Sequence, residues 1–187
     1  MSKKRCDWCE KDPIYVAYHD NEWGVPISDD RKWFEFLLLE SFQAGLSWLT
    51  ILKKRENFKQ AFDGFNYHKI AQYDELKYET LINDKGIVRN KLKIKATINN
   101  AQKFILIQKE FGSFNQYMQQ FINYKTIQNH FHSVDDIPAK TKLSDQISKD
   151  LKKRGFKFVG STIIYALMQA TGLVNDHIVS CYKYHDI

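Results

Sequence analysis

Apolar residues recur at three- and four-residue spacing along most of the chain, and seven stretches carry that pattern far enough to predict helices. Ser28-Asp29-Asp30 supplies a cap for the first, from about Arg31 to Gly45. The second follows the break at Gly45, from Ser47 to about Phe62. The third runs from Asp74 to Asn83, ahead of Gly86, and a long fourth from Lys91 to Phe111. Phe114 to Asn123 is the fifth and Ser144 to Arg154 the sixth, stopped by Gly155. The seventh is the apolar stretch Ser161 to Thr171, stopped by Gly172. No segment alternates with the period of two that marks a strand, and only Pro13, Pro26 and Pro138 interrupt the chain. The pattern predicts an all-α protein.

Composition narrows this to one folding unit. At 187 residues, with 43% hydrophobic and 27% charged residues, the chain buries a sizeable core without disulfides and is not disordered. We expect a single domain over 1–187. No apolar run approaches the ~20 residues of a membrane span. The basic start, Lys3-Lys4-Arg5-Cys6-Asp7-Trp8, has no apolar stretch behind it to make a signal peptide. The expectation is a soluble, cytoplasmic monomer with no membrane partner.

Charge suggests the partner. Lys and Arg number 28 against 22 Asp and Glu. No acid occurs between Asp84 and Glu110, a stretch holding Lys85, Arg89, Lys91, Lys93, Lys95, Lys103 and Lys109. Lys53-Lys54-Arg55 and Lys152-Lys153-Arg154 with Lys157 add two clusters of the same sign. A solvated helix face explains one such cluster; three point to a polyanion footprint.

The three cysteines, together with His19 and His177, sit near the ends. Cys6 and Cys9 form a C-x-x-C, His19 follows, and His177 precedes Cys181 by four residues. On a helix that last spacing puts both side chains on one face. Buried thiols and satisfied core histidines are one explanation. The other is a structural zinc site taking four of these five candidates and joining the two ends.

Two further features carry chemistry. In the first helix Glu40 shares a face with Phe36 and Leu37, so its carboxylate either reaches solvent at the rim or lines a pocket. The break Gly45-Leu46-Ser47-Trp48 follows within two turns, and an acceptor beside aromatic planes suits a flat base bearing amino groups. Leu46 is placed to wedge into the gap left by an extruded nucleotide, or else packs in the core. Residues 81–91, Leu-Ile-Asn-Asp-Lys-Gly-Ile-Val-Arg-Asn-Lys, read as helix, glycine turn, helix. This partly matches a helix-hairpin-helix, near 76–100, which grips phosphates with backbone amides. Gly86-Ile87 fits its first half, and Val88 stands where a second glycine is expected.

Several runs together resemble the 3-methyladenine DNA glycosylase I family. They are 18–26 (Tyr-His-Asp-Asn-Glu-Trp-Gly-Val-Pro), Glu40 with 43–48 (Gln-Ala-Gly-Leu-Ser-Trp), 52–56, 86–89, 151–160 and 172–177. They fall in the family's order and span nearly the whole chain. The resemblance implies an all-α helix-hairpin-helix DNA glycosylase with one structural zinc ion, held by Cys6, His19, His177 and Cys181. Cys9 is then the spare thiol. It also implies a base pocket containing Glu40, with Trp8, Tyr18 and Trp48 around it. The substrate would be alkylated double-stranded DNA, with Gly86, Arg89, Lys91, Lys93, Lys153, Arg154 and Leu46 as its contacts. The family lacks the catalytic Asp that most helix-hairpin-helix glycosylases carry after the hairpin, and the acid-free stretch 85–109 agrees. No lysine nucleophile is singled out, which predicts a monofunctional enzyme. A non-catalytic, zinc-stapled DNA-damage-binding module is the alternative; it leaves Glu40 and Trp48 unexplained. A zinc hydrolase fits less well, because four protein ligands leave no place for a metal-bound water.

Overall fold

The computed structural model describes residues 3–186. Helix accounts for 61% and strand for 2%, so the helical expectation holds. In chain order the helices are α1 (Pro13–Asn21), α2 (Asp30–Gln43), α3 (Trp48–Ala61), α4 (Tyr67–Ile70) and α5 (Glu75–Asn83). They are followed by α6 (Lys91–Phe111), α7 (Phe114–Gln120), α8 (Lys142–Lys153) and α9 (Ser161–Ala170). Most starts are set by side-chain caps. Asp29 accepts from the Arg31 and Lys32 amides, Ser47 from Thr50, Asp74 from Lys77 and Asn90 from Leu92 and Lys93. Thr141 and Ser144 make a reciprocal capping pair, which starts α8 two residues earlier than its apolar pattern suggested.

Helix α2 is apolar almost all round and becomes the central element. Every residue from Phe36 to Phe42 is buried, and α3, α6, α7 and α9 pack around it. Asp30 fastens its start: its carboxylate accepts from the Phe114 and Asn115 amides at 2.8 and 2.9 Å and from Gln108. Phe104 and Phe114 stack beneath it with ring centroids 4.2 Å apart.

Helices α1 and α4 and both short strands escaped the sequence reading. Helix α1 is short, with Tyr15 and Tyr18 on it, and lies ahead of the first helix that the spacing predicted. Strands β1 (Ile127–Gln128) and β2 (Val174–Asn175) pair in parallel over two residues, too few to show a period. The pairing draws the C-terminal segment onto the 125–131 stretch, and the Tyr182 amide then donates to the Lys4 carbonyl at 2.9 Å. The chain ends therefore meet. Their junction is sealed at Gly172, which has φ +72°, and a Cβ there would lie within 2.6 Å of Pro26 Cα and of the Val25 carbonyl carbon. Both neighbours are backbone and cannot swing aside. Gly172→Ala is expected to destabilise by about 3 kcal/mol or more, read as a shifted midpoint in urea unfolding. An unchanged midpoint would mean that the 25–27 segment yields freely.

Candidate functional site

Where the ends meet, four buried side chains converge. Cys6, His19 and His177 have no exposure and Cys181 has 2%. Their ligand atoms all lie within 4.8 Å of one another. Cys6 Sγ is 3.8 Å from His177 Nδ1, and Cys181 Sγ is 3.6 Å from His177 Nδ1 and 3.5 Å from His19 Nε2. The outer ring nitrogens are already used. His19 Nδ1 lies 2.9 Å from Asp20 Oδ1, and His177 Nε2 lies 3.1 Å from the Trp23 carbonyl. Those acceptors hold the protons there and leave the inner nitrogens with free lone pairs, as metal-bound histidines require. Asp20 is itself gripped by Arg5 through two bonds of 2.8 and 2.9 Å, which keeps its carboxyl well below the ordinary range. The group can hold a metal ion.

One expectation changes here. His177 and Cys181 share no helix: residues 176–181 form an irregular turn, closed by the Cys181 amide donating to the Ile178 carbonyl. Pairing of β1 with β2 sets that turn's position, and it does so without a helical face. Cys9, the spare thiol, lies outside the converging group and donates to the Cys6 carbonyl at 3.1 Å.

Beside this group lies a cavity of about 380 Å³ lined by Trp8, Tyr18, Glu40 and Trp48, with Tyr15 and Trp23 among its other walls. Each of the four comes from a different element: Trp8 from the 3-10 turn Asp7–Cys9, Tyr18 from α1, Glu40 from α2 and Trp48 from the first turn of α3. The structure thus brings together all four residues that the resemblance pointed to. Glu40 is 3% exposed, and burial alone pushes its carboxyl up to about 8. Burial likewise raises the Tyr18 hydroxyl well above its ordinary value. The indole nitrogen of Trp48 is buried and meets no hydrogen-bond partner among the described residues. A buried donor without a partner and a buried carboxyl without a counter-ion, in one aromatic cavity, are polar groups held ready for a ligand.

Several lining residues gave no signal in the sequence. Val134 and Ile137 arrive on a connecting segment with no pattern. Gln169 lines the cavity while donating to Asp176 at 2.8 Å. Buried Asp176 also accepts from Tyr165 and Asn129, which ties α9 to the 127–129 stretch next to His177. Tyr15 and Trp23 are further aromatic walls of the cavity.

The basic clusters divide. Arg89, Lys91, Lys152, Lys153 and Lys157 are exposed and enter no ion pair among the described residues. Arg154 is held by Glu110 and Asp150, both at 2.7 Å. The 53–55 cluster is largely used internally: Lys53 pairs with Asp12, Lys54 donates to the Gly86 carbonyl, and half-buried Arg55 joins Glu22 to Glu35. Three clusters of one sign therefore overstated the polyanion footprint. Lys93 is a correction. It is 6% exposed, and its ammonium donates to the Phe42 and Ala44 carbonyls at 2.9 and 2.6 Å, so it does not face a phosphate. Its position three residues into α6 turns it toward α2. Residues 84–90 do form a turn between α5 and α6, but the Gly86 amide is taken by Asp84 Oδ1 at 2.7 Å. Leu46 is 41% exposed at the break between α2 and α3 and is not core.

Comparison with known proteins agrees with this arrangement. The methyladenine glycosylase family profile matches residues 8–184. DNA-3-methyladenine glycosylase 1 of Escherichia coli K12 is 48% identical over 181 residues, covering 97% of each chain. The DNA-3-methyladenine glycosylase of Haemophilus influenzae is 42% identical over 177 residues, covering 95% of this chain and 96% of its own. Among solved structures, a 3-methyladenine DNA glycosylase I superposes with TM-score 0.93 at 49% identity, covering 96% of this chain and 98% of the other. The Staphylococcus aureus enzyme, whose structure addresses 3-methyladenine recognition, superposes with TM-score 0.93 at 36% identity and covers 98% of each chain. With the family profile matched from residue 8 to 184, relatives at 42–48% identity over nearly the whole chain and a shared fold, the chain belongs to the methyladenine glycosylase family.

Proposed function

We propose that the protein is a monofunctional DNA-3-methyladenine glycosylase acting on alkylated double-stranded DNA as a single-domain monomer. It hydrolyses the N-glycosidic bond of a flipped-out 3-methyladenine nucleotide and leaves an abasic site. The observation that carries this reading is Glu40, a buried carboxyl without a counter-ion in a cavity walled by aromatic rings.

Alkylation at N3 makes the adenine of the nucleotide a cation, so the base is already a good leaving group. The protein must extrude the nucleotide, hold the base and admit water to C1′. The C1′–N9 electron pair departs with the base, which leaves neutral. Water oxygen bonds C1′, and its proton passes to solvent. Tyr18, Trp8 and Trp48 supply faces for the flat ring, and the unpartnered Trp48 N–H is a donor for a ring acceptor. Glu40 accepts from the exocyclic amine and attracts the charge. That charge leaves the base for the sugar as the bond breaks, so a carboxylate at the base favours the bound state more than the transition state. Glu40 therefore chiefly selects the base.

Residues 75–111 act as the helix-hairpin-helix, with Arg89 and Lys91 beside the turn and Lys153 on α8 meeting phosphates without reading sequence. Leu46 fills the gap in the stack. Leu46→Ala is expected to weaken binding to a duplex carrying a stable abasic analogue about tenfold, read by fluorescence anisotropy. Unchanged affinity would remove the wedge.

The metal is zinc. With Zn–S near 2.3 Å and Zn–N near 2.0–2.1 Å, tetrahedral edges come to about 3.4–3.8 Å. The observed sulfur–nitrogen separations of 3.5, 3.6 and 3.8 Å fit that set. When bound, the ion cross-links the two chain ends. Cys6, His19, His177 and Cys181 fill its coordination, so catalysis falls to the cavity.

The test is single-turnover incubation with methylated duplex DNA, with chromatography of the released bases. Free 3-methyladenine, with strand breaks only after alkali, is the expected result. No release from a folded, zinc-loaded protein that still binds DNA would make it a damage-binding module.

A further inference from the structure

Lys93 is a buried charge that the reaction does not use. It sits on the third residue of α6, directly after the 84–90 turn, yet its ammonium reaches back to the end of α2. There it meets the Phe42 carbonyl at 2.9 Å and the Ala44 carbonyl at 2.6 Å. These belong to the last turn of α2, whose terminal carbonyls have no helical partners and carry the negative end of the helix dipole. Burial lowers the lysine's affinity for its proton, and two carbonyls at a helix C-terminus are groups that keep an ammonium charged.

What those carbonyls hold matters more. The chain leaves Ala44 through Gly45, at φ +82°, and then exposes Leu46, whose amide donates to the Gln43 carbonyl. Ser47 follows as the cap of α3, and Trp48, with its unpartnered N–H, is the first residue of that helix. A Cβ at Gly45 would meet nothing within 4 Å, so no packing around that residue holds the break. Its position is fixed by hydrogen bonds, and two of them come from Lys93. A second set of bonds links the same regions from the other side. Lys54 and Asn57 of α3 donate to the Gly86 carbonyl at 3.0 and 3.2 Å. The 84–90 turn and the 44–48 break are thus joined twice, through α6 to α2 and through α3 to the turn.

We propose that Lys93 is a positioning residue that locks the break after α2 to the start of α6, so that phosphate contact at the 84–90 turn and insertion of Leu46 act as one rigid unit. This rests on the DNA glycosylase reading above. It gives Lys93 no phosphate contact. Its effect on DNA passes through Leu46.

A double-mutant cycle reads that dependence. Lys93→Met keeps the aliphatic stem and removes the charge, and Lys93→Gln keeps a single, shorter donor. Each is combined with Leu46→Ala and measured by 2-aminopurine fluorescence opposite a stable abasic analogue and by tryptophan quenching with free 3-methyladenine. Lys93→Met is expected to reduce the flipping signal about 10- to 100-fold, the scale set by a misplacement near 1 Å, with Lys93→Gln between it and the parent. Leu46→Ala should then add little in the Lys93→Met background, because both changes disable the same unit. Affinity for the free base should change less than about twofold, since the cavity walls are untouched.

Additive effects of the two substitutions would overturn the proposal. So would a duplex-binding salt slope shallower by about one in Lys93→Met, which is the mark of a lost phosphate contact. If Lys93→Met does not fold, Lys93→Gln carries the cycle. The flipping signal needs no base release. A protein that flips but releases nothing would therefore refute the glycosylase reading while leaving this coupling intact.

Discussion

Removing the metal from the Cys6, His19, His177 and Cys181 group is expected to lower the thermal midpoint by about 10–20 °C, the shift that several kcal/mol produces in a chain of this size. The ligands come from opposite ends, with Cys6 and His177 separated by 171 positions, and they carry few regular hydrogen bonds of their own. Two residues of parallel pairing, the amide bond from Tyr182 to Lys4 and the contact of the His177 ring with the Trp23 carbonyl are among the other links in the region. Without the ion, two thiols and two imidazoles remain buried side by side. The Cys181 thiol is pulled down by the neighbouring Cys6 thiol and by His177 and His19, while Cys6 is raised in turn by Cys181. One shared proton is a poor substitute for four metal–ligand bonds. Scanning calorimetry with a chelator, followed by zinc restoration and metal counting, checks this. Cys181→Ser should behave like the chelated protein. Cys9→Ser should retain its full metal content, because that thiol already donates to a carbonyl. A chelated protein with an unchanged midpoint but no turnover would make the ion catalytic instead.

Glu40→Gln is expected to cut discrimination between 3-methyladenine and adenine by about 10³-fold while slowing bond cleavage much less. A unit charge pair at 4 Å is worth about 4 kcal/mol at an effective dielectric of 20. Desolvation that raises the carboxyl from 4.5 to about 8 is of similar size. The cationic base therefore just offsets the desolvation of Glu40, and an unmodified adenine, lacking the charge, does not. Binding the alkylated nucleotide below pH 8 should release a proton from Glu40. Affinity for methylated duplex should accordingly rise with pH and level off near 8, and Glu40→Gln should flatten the profile.

The stability profile runs the other way. A carboxyl whose folded pKa lies above its unfolded value binds more protons when folded, so its contribution is complete below about 4.5 and declines as pH rises to about 8. At pH 8 and above, Glu40→Gln should be more stable than the parent, by an amount on the order of 3–5 kcal/mol. Urea titrations at pH 5 and pH 8.5 measure the difference. A large loss of single-turnover rate with discrimination intact would assign Glu40 to the chemical step.

Seven of the nine α-helices among the described residues were legible because each carries its own signal. The apolar run 33–42 predicted a helix, the Ser28-Asp29-Asp30 cap marked the start of α2, and glycine breaks marked several ends. Zinc ligation remained ambiguous in the residues themselves, since five thiols and imidazoles fitted four places. Convergence of four of them depended on β1 and β2, whose two-residue pairing has no readable period. Glu40 could equally have faced solvent, because its spacing names the side of α2 it occupies and says nothing of what covers that side. The wall came from α1, α3 and the 134–137 segment. Lys93 shows the limit most sharply. Its neighbours in the chain are cations on an exposed face, and a run of like charge reads as one surface. Whether a given ammonium meets water, phosphate or a carbonyl depends on which helix end lies 3 Å away, and that is a property of packing between segments about 50 residues apart. Sequence determined the helices, the class of partner and the candidate chemistry, all of which rest on local pattern. Tertiary structure alone decided which charges were surface and which were internal, because burial is set by distant chain.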